Sequence, residues 1–183
     1  MEVREAIRQR RSVRSYRADP VTREQLCSIL EAAVWAPSGG NTQAWVFVVV
    51  TEERVIRDIK AFSPGMFAPP PALVVACSDL DRAGRRGGRL GAEVLSLCDL
   101  SMACQNMMLA AVGMGLGSCV VRSFNQTAVA RLLGLPPHVR PELLVTLGYP
   151  ARVPPAPRRR PPDEVVHWER FGGTAQVAPA SRG

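Results

Sequence analysis

The sequence predicts a single sandwich of the α/β or α+β kind, one sheet covered by helices. Three observations predict it. Short apolar runs bounded by turn residues stand at 46–50 (VFVVV), 72–77 (ALVVAC) and 143–147 (LLVTL), the pattern of buried strands. Amphipathic runs at helical spacing separate them. The chain has 183 residues, 46% of them hydrophobic, which suffices for one well-buried core, and no internal repeat is visible.

Taken in order, residues 2–10 place Val3, Ala6 and Ile7 on one helical face before the polar run QRRSVRSYR. A second helix starts at Thr22, where Thr-x-x-Gln resembles a capping box, continues through Leu26, Ile29, Leu30 and Ala33, and stops at Pro37. The strand 46–50 follows, with the continuous pattern of a strand covered on both faces. Thr51 with Glu52 and Glu53 reads as a cap and acidic first turn for a third helix reaching about residue 61. The loop FSPGMFAPPP leads into strand 72–77, and SDLDRAGRRGGR reads as a polar connection. A long helix at about 91–112 is apolar on nearly all sides, so it must be buried all round, in the core or against another subunit. A glycine loop (GMGLG), strand SCVV, a helix capped by Asn125 and strand 143–147 complete the domain. The whole of 1–183 is expected to be one domain, with 151–183 an extended Pro/Arg-rich arm that has no core of its own.

Composition excludes several classes. The net charge of +7 is almost all arginine, since Lys60 is the sole lysine, and a basic surplus raises nucleic acid as a partner. No aromatics interleave the Arg clusters, and no zinc-finger, homeodomain or RNA-recognition signature is present, so no nucleic-acid partner is expected. Cys27, Cys77, Cys98, Cys104 and Cys119 are odd in number, contain no C-x-x-C pair, and read as buried thiols of a reducing cytoplasm. The start MEVREAIRQRR has no apolar signal core. The uncharged stretch 100–121 is long enough to span a bilayer, but its internal polar residues and closing glycines favour a buried helix and loop, and no membrane partner is expected.

Candidate chemistry is also narrow. His138 and His167 lie in a Pro-rich loop and in the tail; no nucleophile elbow, H-E-x-x-H or metal-ligand spacing occurs, so neither a triad nor a metal centre is expected. Any chemistry would come from a bound cofactor. GMGLGSC lacks the third glycine of a dinucleotide fingerprint and stands between helix and strand, the reverse of the order that fingerprint requires. Arg10, Arg11, Ser12 and Arg14 group guanidinium forks with a hydroxyl, and Arg158 to Arg160 form a second group held extended by prolines. Between the second helix and the first strand, APSGGNTQAW is too polar for a plain connection. Together the three groups suit a mononucleotide with a phosphate tail and a hydrogen-bonding ring.

These residues resemble the FMN-dependent nitroreductase family. Its motifs stand here as RRSVR (10–14), Pro20-Val21, AAVWAPSGGNTQAW, GLGSC (115–119), LGYP (147–150) and the tail RRRPPDEVVHW, across about residues 2–171. The resemblance implies an α+β three-layer sandwich, a mostly antiparallel central sheet covered by helices, in an intertwined homodimer with FMN at the interface. It implies that Arg10, Arg11, Ser12 and Arg14 hold the phosphate and the pyrimidine edge, aided by Arg159. Pro37, Ser38, Gly39, Asn41 and Gln43 would line the flavin from the neighbouring subunit or its edge, and Leu116 and Gly117 would bring backbone close to the ring. The helix 91–112 would pack across the dimer axis, so that a charge at Met107 or Met108 disrupts assembly. Where many members have a lysine two residues before the tail arginine, Pro157 stands here, leaving Arg158 and Arg160 as rival substitutes.

The implied activity is oxidoreduction by a two-step, ping-pong exchange, hydride passing from NAD(P)H by way of flavin N5 to a small aromatic, nitro or quinone-type acceptor. No catalytic side chain is required, with Arg14 as electrostatic support and Arg10 its rival. Similarity of AFSPG and EVVHWERFGG to the catalytic subunit of cyclodipeptide oxidases implies an alternative, a flavin-dependent dehydrogenase of a secondary metabolite that can assemble with a small partner protein. A flavin-binding protein without a dedicated substrate is a third class.

Overall fold

In the computed structural model, which describes residues 1–174, four strands form one antiparallel sheet: β1 (Trp45–Val50), β2 (Ala72–Asp79), β3 (Gly117–Val121) and β4 (Val139–Gly148), in the order β1-β2-β4-β3. The sequence left α/β and α+β open; the all-antiparallel pairing makes this an α+β sandwich. Helices α1 (Val3–Gln9), α2 (Arg23–Val34), α3 (Glu53–Ala61), α4 (Leu80–Leu90), α5 (Ser96–Gly113) and α6 (Gln126–Leu132) flank it.

The period of two along β2 sorts the core into two layers. Ala72, Val74 and Ala76 join the cluster built with α2 and α5, while Leu73, Val75 and Cys77 join Ile56 and Ile59 of α3 and Val129 of α6. The α5 side of β2 carries small side chains, and Ala103 and Ala111 of α5 are fully buried against that layer, so the long helix lies close to the sheet.

Local signals set most boundaries. Thr22 caps α2 through a capping box: its hydroxyl accepts from the Gln25 N–H at 3.2 Å and the Gln25 side-chain oxygen accepts from the Thr22 N–H at 3.0 Å. The Asn125 side chain accepts from the Ala128 N–H at 3.0 Å and starts α6. In β4, Pro141 lies opposite Cys77 while Leu143 lies opposite Ala76, so Glu142 is an extra residue at a bulge. Its side chain, 1% exposed, is held by Arg140, Gln126 and Arg122, which compensates the buried charge.

Several expectations need correction. Strand β1 is an edge strand, half-buried along 45–48 and exposed at Val49, so its continuous apolar run does not mark cover on both faces. Glu52, not Thr51, occupies the cap position of α3, and it makes no side-chain capping bond. SDLDRAGRRGGR forms the end of β2 and helix α4, capped by the Asp79 side chain, which accepts from the Arg82 N–H at 2.8 Å. Gly88 (φ 56°, ψ −148°) breaks α4, and a wide π turn at Gly91–Leu95 joins it to α5. The helical face of Val3, Ala6 and Ile7 is present in α1, with Ala6 buried and Val3 (68%) and Ile7 (54%) exposed.

Within one chain, helix α5 is buried on the side that meets α2 and the sheet. Met107 and Met108 belong to the chain's own core, so a charge there would disrupt the fold before any dimer, whereas Val94 and Met102 face outward. A stretch within Leu80–Gly113 is long and apolar enough to cross a membrane by length and composition, but the apolar face of α5 packs on α2 and the sheet. Cys27 and Cys98 are exposed, contrary to the buried reading; burial pushes the Cys77 and Cys104 thiols up to about 12. From Ala151 the arm is almost wholly exposed, with one short turn at Pro162–Glu164, and residues 175–183 of the expected arm lie outside the described residues.

Gly117 is the tightest junction of the N-terminal segment with the sheet: a Cβ there would stand 2.7 Å from a Val13 methyl. Gly117→Ala is therefore expected to destabilise the fold by about 1–3 kcal/mol, read as a lower urea midpoint at unchanged m-value.

Candidate functional site

The basic cluster begins where α1 ends. Arg11 donates to the carbonyls of Arg8 at 2.6 Å and Arg10 at 2.9 Å, closing the helix terminus. The chain then runs extended beside β3: Ser12 bridges to Ser118, and the Val13 N–H donates to the Ser118 carbonyl at 2.9 Å. Because side chains alternate along an extended segment, Val13 is buried and Arg14 is exposed. Tyr16 locks the segment from beneath, its hydroxyl 2.6 Å from both the Val13 carbonyl and the Thr146 hydroxyl, and burial pushes its pKa well up.

The structure brings the two arginine groups together. A cavity of about 350 Å³ is lined by Arg10, Arg11, Ser12 and Arg14 from the N-terminal segment and by Arg159 and its neighbouring prolines from the arm. Residues 154–157, rich in proline, hold the arm extended, and Ala151 N–H to Ser15 carbonyl (3.0 Å) ties its root to the same segment. Arg158 and Arg160 do not line it, and Arg160 pairs with Glu164 at 3.1 Å. Among the described residues, Arg10, Arg11, Arg14 and Arg159 have no carboxylate partner. The field is felt by Cys119 behind the cluster: burial raises its thiol pKa, offset in part by Arg14, a hydrogen bond from Ser12, and Arg10. A cavity of this size whose charged groups are all cationic suits a phosphate, with the Ser12 hydroxyl as a further donor.

The amide loop is built separately. Ser38 to Gln43 contains three residues in the left-handed region, Gly40 (φ 57°), Asn41 (φ 53°) and Gln43 (φ 51°), two of them not glycine. Such strain persists only where surroundings fix it. Inside the loop, Thr42 Oγ1 donates to the Gly39 carbonyl at 2.6 Å, the Ser38 hydroxyl accepts from the Gln43 N–H at 3.0 Å, and the Gln43 amide donates to Asn41 Oδ1 at 3.0 Å. Outside it, Arg82 Nε donates to the Thr42 carbonyl at 2.6 Å, Arg86 to the Gly40 carbonyl at 3.0 Å, and the Asp99 carboxylate accepts from the Gly39 N–H. Pro37, Gly39, Asn41 and Gln43 remain exposed and Ser38 half-buried.

Within one chain the arginine cavity and this loop share no lining residue. Leu116 is a core residue under α5, and Gly117 is explained by the closeness of Val13. Sequence reasoning missed Asp99, Arg82 and Arg86 as loop supports. An acidic residue in an otherwise apolar helix was the available signal for Asp99; nothing local signals its partner sixty positions away.

A sequence profile of the Nitroreductase family matches residues 7–69 and 59–149. The chain belongs to the nitroreductase family. Across 92% of its length it is 32% identical to a protein of Thermus thermophilus named NADH dehydrogenase, covering 96% of that protein. A Bacillus subtilis protein named FMN reductase [NAD(P)H] is 28% identical over 93% of this chain and 74% of its own. Among solved structures, a nitroreductase family protein from Clostridium difficile 630 superposes with a TM-score of 0.81 at 29% identity, over 93% of this chain and 99% of that one. This nitroreductase-family fold is the one described above. The matches do not show the likeness to cyclodipeptide oxidases suggested by AFSPG and the tail.

The cavity's chemistry predicts a preference for FMN over riboflavin, the same ring without phosphate. Arg159→Ala should narrow that preference by roughly tenfold to a hundredfold, the usual range for one charge-assisted contact. Fluorescence titration of both flavins checks it, and an unchanged ratio would remove Arg159 from the phosphate site.

Proposed function

We propose that this nitroreductase-family protein is a homodimer that holds FMN at the subunit interface and reduces a small, flat acceptor by a ping-pong exchange. It is an FMN-dependent NAD(P)H oxidoreductase. The observation that carries this reading is the convergence of Arg159 from the arm with Arg10, Arg11, Ser12 and Arg14 around one cavity. It is supported by family membership and by a relative named FMN reductase [NAD(P)H].

Each group has a task. Arg10, Arg11, Ser12 and Arg159 bind the phosphate and fix the cofactor's depth, with Arg14 beside them. Arg14, exposed and held over the Phe67 ring at 5.6 Å, would supply a positive charge to support the bound ring. When bound, FMN supplies the hydride chemistry, from NAD(P)H to an acceptor of aromatic, nitro or quinone type, which enters after the oxidised nicotinamide leaves. Pro37, Ser38, Gly39, Asn41 and Gln43 would border the ring from the neighbouring subunit or its edge, their amide groups being pre-set by the strained loop, and Leu116 and Gly117 would lend backbone nearby. No side chain is needed as acid or base at the reacting atom.

Assembly has support in the surface. Val3 and Ile7 of α1, Trp35 beyond α2 (80% exposed) and Met102 of α5 leave large apolar groups outside the chain's own core. The unpaired edge of β1 and the exposed arm, with Val165, Val166 and Trp168, suit an exchange of arms between two copies. The five free thiols fit a reducing cytoplasm.

Purified protein is expected to be yellow and to release FMN, not FAD, on denaturation; a colourless protein that stays colourless after incubation with FMN contradicts the reading. For the dimer, Met102→Glu should shift the sedimenting mass toward that of one chain. A variant of unchanged dimeric mass would place the interface elsewhere.

A further inference from the structure

Beside the amide loop lies a second cavity of about 360 Å³, bounded by Gly39, Thr42, Arg86, Gly87, Ser96 and Asp99. Its hydrogen-bonding inventory is lopsided. Asp99 is 7% exposed, and its two carboxylate oxygens share a single donor, the Gly39 N–H, at 3.2 and 3.1 Å. The Thr42 hydroxyl spends its proton on the Gly39 carbonyl at 2.6 Å, and the Ser96 hydroxyl spends its own on the Ala92 carbonyl at 3.0 Å. What these three side chains still offer is lone pairs, since a carboxylate accepts only and a hydroxyl has one proton to give. The remaining side-chain donor is the guanidinium of Arg86 at the exposed rim, one of whose nitrogens already serves the Gly40 carbonyl at 3.0 Å.

A buried carboxylate with unused lone pairs facing a cavity is costly unless something donates to it. Nitro and quinone oxygens would add acceptors to a wall of acceptors. A planar primary amide offers the complement: two N–H donors for Asp99 and a carbonyl for Arg86. We propose that this cavity is a binding site for a flat ligand carrying a carboxamide or an equivalent N–H donor group, with Asp99 as the residue that selects it. The proposal rests on the reading that the Ser38–Gln43 loop borders the flavin, and it narrows the acceptor class to its donor-bearing aromatic members.

The test uses the oxidised holoprotein with no electron donor present, so that binding is read without turnover. Benzamide and nitrobenzene are matched in size and planarity and differ in having N–H donors or none. By calorimetry, benzamide is expected to bind at least roughly tenfold more tightly than nitrobenzene, the range of one hydrogen bond to a charged group. Asp99→Asn keeps an oxygen for the Gly39 N–H but turns an NH2 toward the cavity, and it should abolish or reverse that preference in the flavin-loaded fraction of the variant. Gly87→Leu is a second probe: a Cβ at Gly87 meets no atom within 4 Å, so the side chain can fill the cavity, and both ligands should be lost. Equal binding of the two ligands, no detectable benzamide binding at its solubility limit, or the wild-type preference persisting in Asp99→Asn would each overturn the proposal. A protein that holds no FMN yet shows the benzamide preference would sink the flavin reading and leave the cavity's selectivity standing.

Discussion

The seat of Val13 against Gly117 is the contact on which the site depends. Gly117 has no side chain, so the N-terminal segment lies directly on β3, and the bond from the Val13 N–H to the Ser118 carbonyl fixes its register. With Val13 turned inward, alternation turns Arg14 outward, and Arg10, Arg11 and Ser12 follow from the end of α1. Moving the segment by one residue would bury a guanidinium without a partner, at a cost of several kcal/mol. Packing at one side-chain-free position thus decides where four cationic or hydroxyl groups face.

The rest of the site is arranged around that cluster. The arm leaves β4 beside the same segment, tied to it by the Ala151 N–H to Ser15 carbonyl bond, and its prolines carry Arg159 back over the cavity rather than into solvent. Cationic groups gathered without carboxylates repel one another, a tension that a bound phosphate relieves. The amide loop follows the opposite logic, with its strain held by Asp99, Arg82 and Arg86 from α4 and α5. The break at Gly88 within α4 and the π turn at Gly91–Leu95 between α4 and α5 lie beside the second cavity.

Much of this was legible in the chain because it is local chemistry. Thr22 with Gln25, Asn125 with Ala128, and the apolar runs of β2 and β4 each announce their element within a few residues. The Arg10–Arg14 group and the polar stretch around Asn41 were readable as ligand chemistry for the same reason, since most of their polar side chains lie outside the core. What was hidden is non-local. α4 has too few apolar residues to show a helical period and is held by its Asp79 cap and by contacts to a loop forty positions earlier. An edge strand and a central strand look alike in sequence, so β1 was placed too deep. Pro141 masked the first half of β4, because the bulge that accommodates it is set by β2. The pairing of Asp99 with Gly39 has no local sign beyond one carboxylate in an apolar helix.

The central claim is that the arginine cavity serves a flavin reducible by a nicotinamide. Anaerobic mixing of the purified yellow protein with NADH and with NADPH, separately and without acceptor, tests it most directly. The account predicts loss of the oxidised-flavin absorbance with at least one donor, and its return when an acceptor is added. A flavin that keeps its colour with both donors would contradict it.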